Sequence, residues 1–273
     1  MVRKIMNVVV ALVFLVGIGL LAYPTFSDWW NAQHKSQVIA SYEKKVENLT
    51  DKQYKKLWDG AVNYNKKLKT TNMNLSKSDL KVYNKTLDVT GTGIMGYVEI
   101  PKVNISLPIY HGDNAAILQV AIGHIPGTSL PVGGNSTHCV ISGHRGLPSA
   151  KLFTDIDQMK IGDTFMLQTL DNTLTYKVDQ IKVVLPTNTK YLQIEQGKDL
   201  CTLMTCTPYG VNTHRLLVRG HRIPTLSTRV HRDLVKADPV IFDAIWAVIA
   251  LIVVIINVRR YKKYKKPKVS KSE

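Results

Sequence analysis

The chain has 273 residues, 45% of them hydrophobic, and 36 Lys and Arg against 20 Asp and Glu give it a formal charge of +16. A total this basic is often the footprint of a nucleic-acid binder, but its distribution argues against that partner: roughly half flanks two apolar runs, where it reads as an inner-leaflet anchor. There is no Gly-rich phosphate motif in the right context, no internal repeat and no low-complexity tract.

In chain order, the first element is residues 5–23, a charge-free apolar run behind Arg3 and Lys4. Its length matches the roughly 20 residues that a membrane-spanning helix needs. A cleaved signal peptide is the rival reading, but the run is longer than a usual signal core. Tyr23, Pro24, Phe26 and Trp29 also make a poor small-residue cleavage site. Residues 24–69 follow as a helical preface. Val38, Tyr42, Val46 and Leu49 form one stripe, and Tyr54, Leu57, Ala61, Tyr64 and Leu68 a second, with Thr50 and Gln53 spaced as a capping box between them. Residues 70–93 are polar, turn-rich and without clear period, and read as an irregular lid or linker.

From residue 94 to 225 the pattern changes to short β-like runs separated by Pro, Gly and Asn: IMGYVEI, ISLPIYHG, HCVISG, TFMLQT, TYKVDQIKVV, CTLMTC and RLLVRGHR. Strands at this spacing predict a mainly β domain, closed or sandwiched, rather than a βαβ sheet. A linker, 226–239, leads to a second apolar run, 240–258, whose one charge is Asp243 near an end, and then to a basic tail, 259–273. Excess Lys and Arg stay in the cytoplasm. The expected topology is therefore a two-pass cell-membrane protein with both termini cytoplasmic and the β domain outside.

Three cysteines lie in the exterior part, an odd number in a compartment where disulfides persist. Cys139 and Cys201 sit within apolar runs, whereas Cys206 stands where a run ends and TPYG turns. A reactive thiol needs exposure and nearby positive charge, because the thiolate is the nucleophile. Cys206 has His214, Arg215, Arg219, His221 and Arg222 downstream. His144 also stands at the end of an apolar run, after Gly143, and neighbouring strands of equal polarity would bring imidazole and sulfur together. His111, His124, His138, His214 and His221 read as surface or hydrogen-bonded structural residues. The clustered Cys and His of a zinc site are missing, and neither a metal nor another cofactor is expected.

These residues resemble a known family. TLMTC, residues 202–206, resembles the TLxTC signature of sortases, the membrane-bound cysteine transpeptidases of Gram-positive surfaces, and SGHRG and HRLLVRG resemble their histidine and arginine segments. Residues 91–112 resemble the start of the sortase β-barrel, and CTPYGVNTHRLLVRGHR is most similar to the pilus-assembling class C branch. The resemblance covers roughly residues 91–222 and implies a closed barrel with a catalytic triad of Cys206, His144 and Arg215. Strand alternation puts Arg215 and Arg219 on one face, so only the family pattern selects Arg215.

The implied substrate is a pilin or other surface protein bearing an LPxTG-like sorting signal, cut between Thr and Gly through a thioester. The acceptor is an amine, a pilin lysine or, in the housekeeping alternative, a cell-wall precursor. A non-catalytic, membrane-tethered binding domain is the third reading. Class C members commonly carry a lid with an Asp-Pro-aromatic triplet; residues 70–93 occupy its place without that triplet. Finally, Cys139 and Cys201 each precede their site residue by five positions. Equal parallel strands would set them level, facing away from the site, as thiols in contact rather than as a disulfide.

Overall fold

The computed structural model describes residues 2–147 and 150–225. The second apolar run, 240–258, and the basic tail lie outside the described residues. Helix α1 (Val2–Glu47) runs unbroken through Pro24, so the apolar run and the first amphipathic stripe belong to one element. From Ile5 it is long and apolar enough to cross a membrane, and none of its most apolar window is buried among the described residues. Phe26, Trp29 and Trp30 cluster just beyond, with ring centroids 5.9 to 6.5 Å apart, the residue type that gathers at a membrane interface. Further along, Ile39 and Tyr42 are buried. The Tyr42 hydroxyl donates to the Met95 carbonyl at 3.2 Å and accepts from the Leu170 amide at 2.8 Å, which ties α1 to the β domain.

Helix α2 (Asp51–Lys67) starts at the expected capping box, with the Thr50 side chain on the Gln53 amide and the Gln53 side chain on the Thr50 amide. Buried Asn65 exchanges two hydrogen bonds with the Leu130 backbone, at 3.0 and 2.7 Å, as a neighbouring strand would. The segment expected to be irregular contains a helix, α3 (Lys77–Lys85), capped by Ser76. At nine residues it is too short to hold by propensity alone. Its anchor is fully buried Tyr83, whose hydroxyl accepts from the Gly112 amide at 3.0 Å and lies 2.9 Å from His124 Nδ1.

The remaining elements are β1 (Ile94–Ile100), β2 (Ile105–His111), α4 (Ala115–Leu118), β3 (Ile122–His124), β4 (Thr137–Ser142), β5 (Thr164–Thr169), β6 (Asn172–Val184), β7 (Asp199–Thr207) and β8 (His214–Ile223). They close into an eight-stranded barrel in the order β1-β2-β3-β4-β7-β8-β6-β5. The β2/β3 and β4/β7 pairs are parallel and the others antiparallel. The seven β-like runs all lie in strands. The eighth strand, β3, has three residues, too few for an alternation to register.

Alternation along β4, β7 and β8 separates two faces. Cys139, Ile141, Cys201, Leu203, Leu216 and Val218 join the main core. On the opposite face Val140 and Leu217 join a smaller cluster with Ile125, Val184 and Leu192, and Met73 and Met204 pack against it. Cys139 and Cys201 stand opposite each other in the β4/β7 register, buried and as free thiols. Burial, with the adjoining Cys139 sulfur next, pushes the Cys201 thiol well above its ordinary range.

Candidate active site

Three strand ends converge at one rim of the barrel. Cys206 lies near the end of β7 and is half-buried, unlike the other two cysteines. Its cross-strand partner in the antiparallel β7/β8 ladder is Arg215, so sulfur and guanidinium leave the same face of adjacent strands. The parallel β4/β7 register ends with Ser142 opposite Met204, and the next amide, Gly143, still donates to the Met204 carbonyl at 3.0 Å. Counting on from there puts His144 level with Cys206.

The sequence around His144 is shaped for that placement. A Cβ on Gly143 would stand 2.7 Å from the Phe153 ring and 2.8 Å from Ile122, so only glycine lets the chain pass. Thr205 points to the other face and donates to the Gly143 carbonyl at 2.8 Å, while the Phe153 amide donates to the His144 carbonyl at 3.1 Å. Thr205 is the second threonine of the TLMTC run, whereas Phe153 carried no signal in the sequence, because its amide acts on a backbone group nine residues away. Burial, and then the positive charge of Arg215, hold the His144 pKa below its ordinary value. The Arg215 charge is therefore near enough to disfavour a second positive charge on His144.

The structure also separates the two arginines that alternation could not. Arg219, four residues further along β8, stands opposite Thr202, and its guanidinium is taken up by Asp179 at 3.0 Å and Glu195 at 2.6 Å. Arg215 donates only to the Asn212 and His214 carbonyls, at 3.3 and 3.2 Å, and has no carboxylate partner among the described residues. A guanidinium held by neutral carbonyls keeps its charge available to a neighbouring anion.

The other histidines take structural places. His138 Nδ1 meets the Gln193 carbonyl at 2.8 Å and its Nε2 the Thr202 hydroxyl at 2.8 Å, while His111 bridges the carbonyls of Gly93 and Thr86. His124 is buried against Tyr83 and the Ser129 carbonyl. His221 lies 3.6 Å from Asp179, and His214 reaches the Thr213 hydroxyl at 2.9 Å. Among the described residues no three His, Cys, Asp or Glu side chains are grouped to hold a metal ion.

A Sortase domain model matches residues 98–223. Sortase A of Bacillus anthracis is 26% identical over 224 residues, spanning 82% of this chain and 97% of that protein. The crystal structure of sortase C1 from Streptococcus agalactiae is 49% identical and superposes with a TM-score of 0.68, covering 70% of this chain and 100% of that one. Sortase C of Streptococcus pneumoniae is 40% identical at a TM-score of 0.62, with 70% and 99% covered. With the closed barrel and these relatives together, the chain belongs to the sortase family of cysteine transpeptidases and within it is most like the class C branch.

Proposed function

We propose that the chain is a membrane-anchored transpeptidase that joins surface proteins through Cys206, His144 and Arg215. The Cys206 thiolate attacks the threonine carbonyl of an LPxTG-like sorting signal, and the resulting oxyanion is met by the Arg215 guanidinium. Collapse breaks the Thr–Gly bond, and protonated His144 gives its proton to the departing glycine amine. An acceptor amine then attacks the thioester, His144 takes up its proton, and the thiolate is released. The observation that carries this reading is the direct cross-strand pairing of Cys206 with Arg215, with His144 at the end of the adjoining parallel strand.

A pilin lysine is the acceptor in this proposal. In support, the similar structures include several sortases C, and the work on the pneumococcal one concerns pilin substrate specificity. The apolar part of α1 serves as the first anchor, and residues 240–258, apolar and followed by a basic tail, as the second. Both termini then lie in the cytoplasm and the barrel outside. Residues 70–93 are read as a cover of the site face: Met73 packs against the same cluster as Met204, two positions from Cys206.

The deciding experiment offers a signal peptide together with either a pilin-type lysine donor or a wall-precursor amine. Incorporation of the lysine supports pilus assembly, and incorporation of the wall amine alone assigns the housekeeping reaction instead. Cys206→Ala is expected to keep its fold and form no thioester. A variant that retains full biological function would leave only a tethered binding domain.

A further inference from the structure

The backbone holds the reacting residues together only up to a point. The β4/β7 register ends at Ser142 and Met204, and the Gly143 amide adds one bond. Beyond it β4 gives way to the connection that carries His144, while β7 runs on along β8 alone to Thr207 and the turn after it. The separation of imidazole and sulfur therefore depends on side chains that span the two segments.

Arg145, the residue after His144, makes such a span. Its guanidinium pairs with Asp157, reaches the Thr207 hydroxyl at 3.4 Å and lies 5.8 Å from the centroid of the Tyr209 ring. Thr207 is the last residue of β7, next to Cys206, and Tyr209 lies in the turn that follows. The Tyr209 ring in turn rests on Gly146, where an added Cβ would stand 3.1 Å from it and where φ is +77°. One planar side chain, the two segments it links and the aromatic ring above it thus form a single packed unit beside the site. The Arg145 side chain is 11% exposed, and its Nε is buried with no hydrogen-bond partner among the described residues. Only a guanidinium presents donors in a rigid fork able to face a carboxylate and a hydroxyl at once.

We propose that Arg145 is a positioning residue of the transpeptidation: held by Asp157, it fixes the connection carrying His144 against the turn that follows Cys206. The inference rests on Cys206 and His144 being the reacting pair.

The test uses the full chain in lipid vesicles, with kcat expressed per Cys206 thiol titrated by a thiol reagent. For Arg145→Met the expected kcat falls by about tenfold to a hundredfold, the cost of a small misplacement of reacting groups. The sorting-peptide KM is expected to stay within about twofold, because the binding contacts are untouched. Arg145→Lys is expected to recover little, since an ammonium cannot hold both partners. Asp157→Asn, which leaves the arginine in place, is expected to show an intermediate loss of the same kind. A merely structural role would lower the melting midpoint and the yield of titratable thiol, and leave kcat per thiol unchanged. That result in Arg145→Met, or in Asp157→Asn should the first variant fail to fold, overturns the proposal. A wild-type chain that forms no thioester overturns the assigned reaction and this inference together, so the two failures are distinct.

Discussion

Arg215 and Arg219 share a strand, a face and a charge, and their surroundings give them opposite work. Arg219 is neutralised by Asp179 and Glu195 on the barrel wall, whereas Arg215 faces Cys206 with carbonyls as its only hydrogen-bond partners among the described residues. Replacing Arg215 by Lys is expected to lower kcat/KM by about a hundredfold or more, as loss of a preorganised oxyanion donor does, with the melting midpoint unchanged. Replacing Arg219 by Met takes the guanidinium from Asp179 and Glu195, of which Glu195 keeps Lys198, and is expected to cost about 1–3 kcal/mol of stability, toward the lower end because the pairs are partly exposed. Urea unfolding and steady-state kinetics on both variants check the contrast. Strand alternation could not make it, because residues four apart on a strand have equal parity, and in the sequence only the resemblance singled out Arg215. The candidate nucleophile was more legible: Cys206 ends an apolar run, while Cys139 and Cys201 sit within theirs.

At the scale of elements, the placement of the site depends on how β4 leaves the barrel. Gly143 lets the chain pass between Phe153 and Ile122, and an alanine there would meet both side chains at under 3 Å. Gly143→Ala is expected to destabilise the fold by about 1–3 kcal/mol through overpacking and to lower activity by more than that loss of folded protein explains. Denaturation midpoints read beside kcat per titratable thiol separate the two effects. His138 links β4 to β7 and to the connection before it. Burial holds its pKa below the ordinary 6.5, and its Nε2 must stay unprotonated to accept from Thr202. In acid the unfolded chain takes up a proton that the folded one resists. Its stabilising contribution is therefore full above about 6.5 and is lost as the pH falls through the lower folded value. The urea midpoint is expected to drop between pH 7.5 and 5.5, and to drop less in His138→Gln.

On the scale of the whole molecule, one helix joins an apolar span, long enough to cross a membrane, to the barrel. α1 passes from an uncovered apolar window through an aromatic cluster to residues buried in the main core, without a break at Pro24. Because the contacts with the core begin only at Val38, removing residues 1–23 together with 240–273 is expected to release the protein from the membrane with its melting midpoint unchanged, whereas removing residues 1–23 alone leaves the second anchor in place. Carbonate extraction of vesicles, followed by thermal unfolding of the released form, checks both halves. Cys139 and Cys201 were foreseeable as neighbours because each lies five residues before its site residue, and equal offsets on parallel strands put side chains level. By contrast, α3 and β3 left little trace, since two helical turns and three strand residues are stabilised by what they pack against rather than by their own pattern.

The sequence by itself determined the local features: the apolar span, the capping box, the seven longer strands and a thiol at the end of a run. Each of these is set by residues within a few positions of one another. Beyond what the resemblance implied, tertiary structure decided what strand pattern and alternation could not: that the strands close, that Arg215 rather than Arg219 stands opposite Cys206, and that Arg145 links the connection after β4 to the end of β7. Those outcomes depend on pairings between residues far apart in the chain, whose geometry exists only once the barrel has formed.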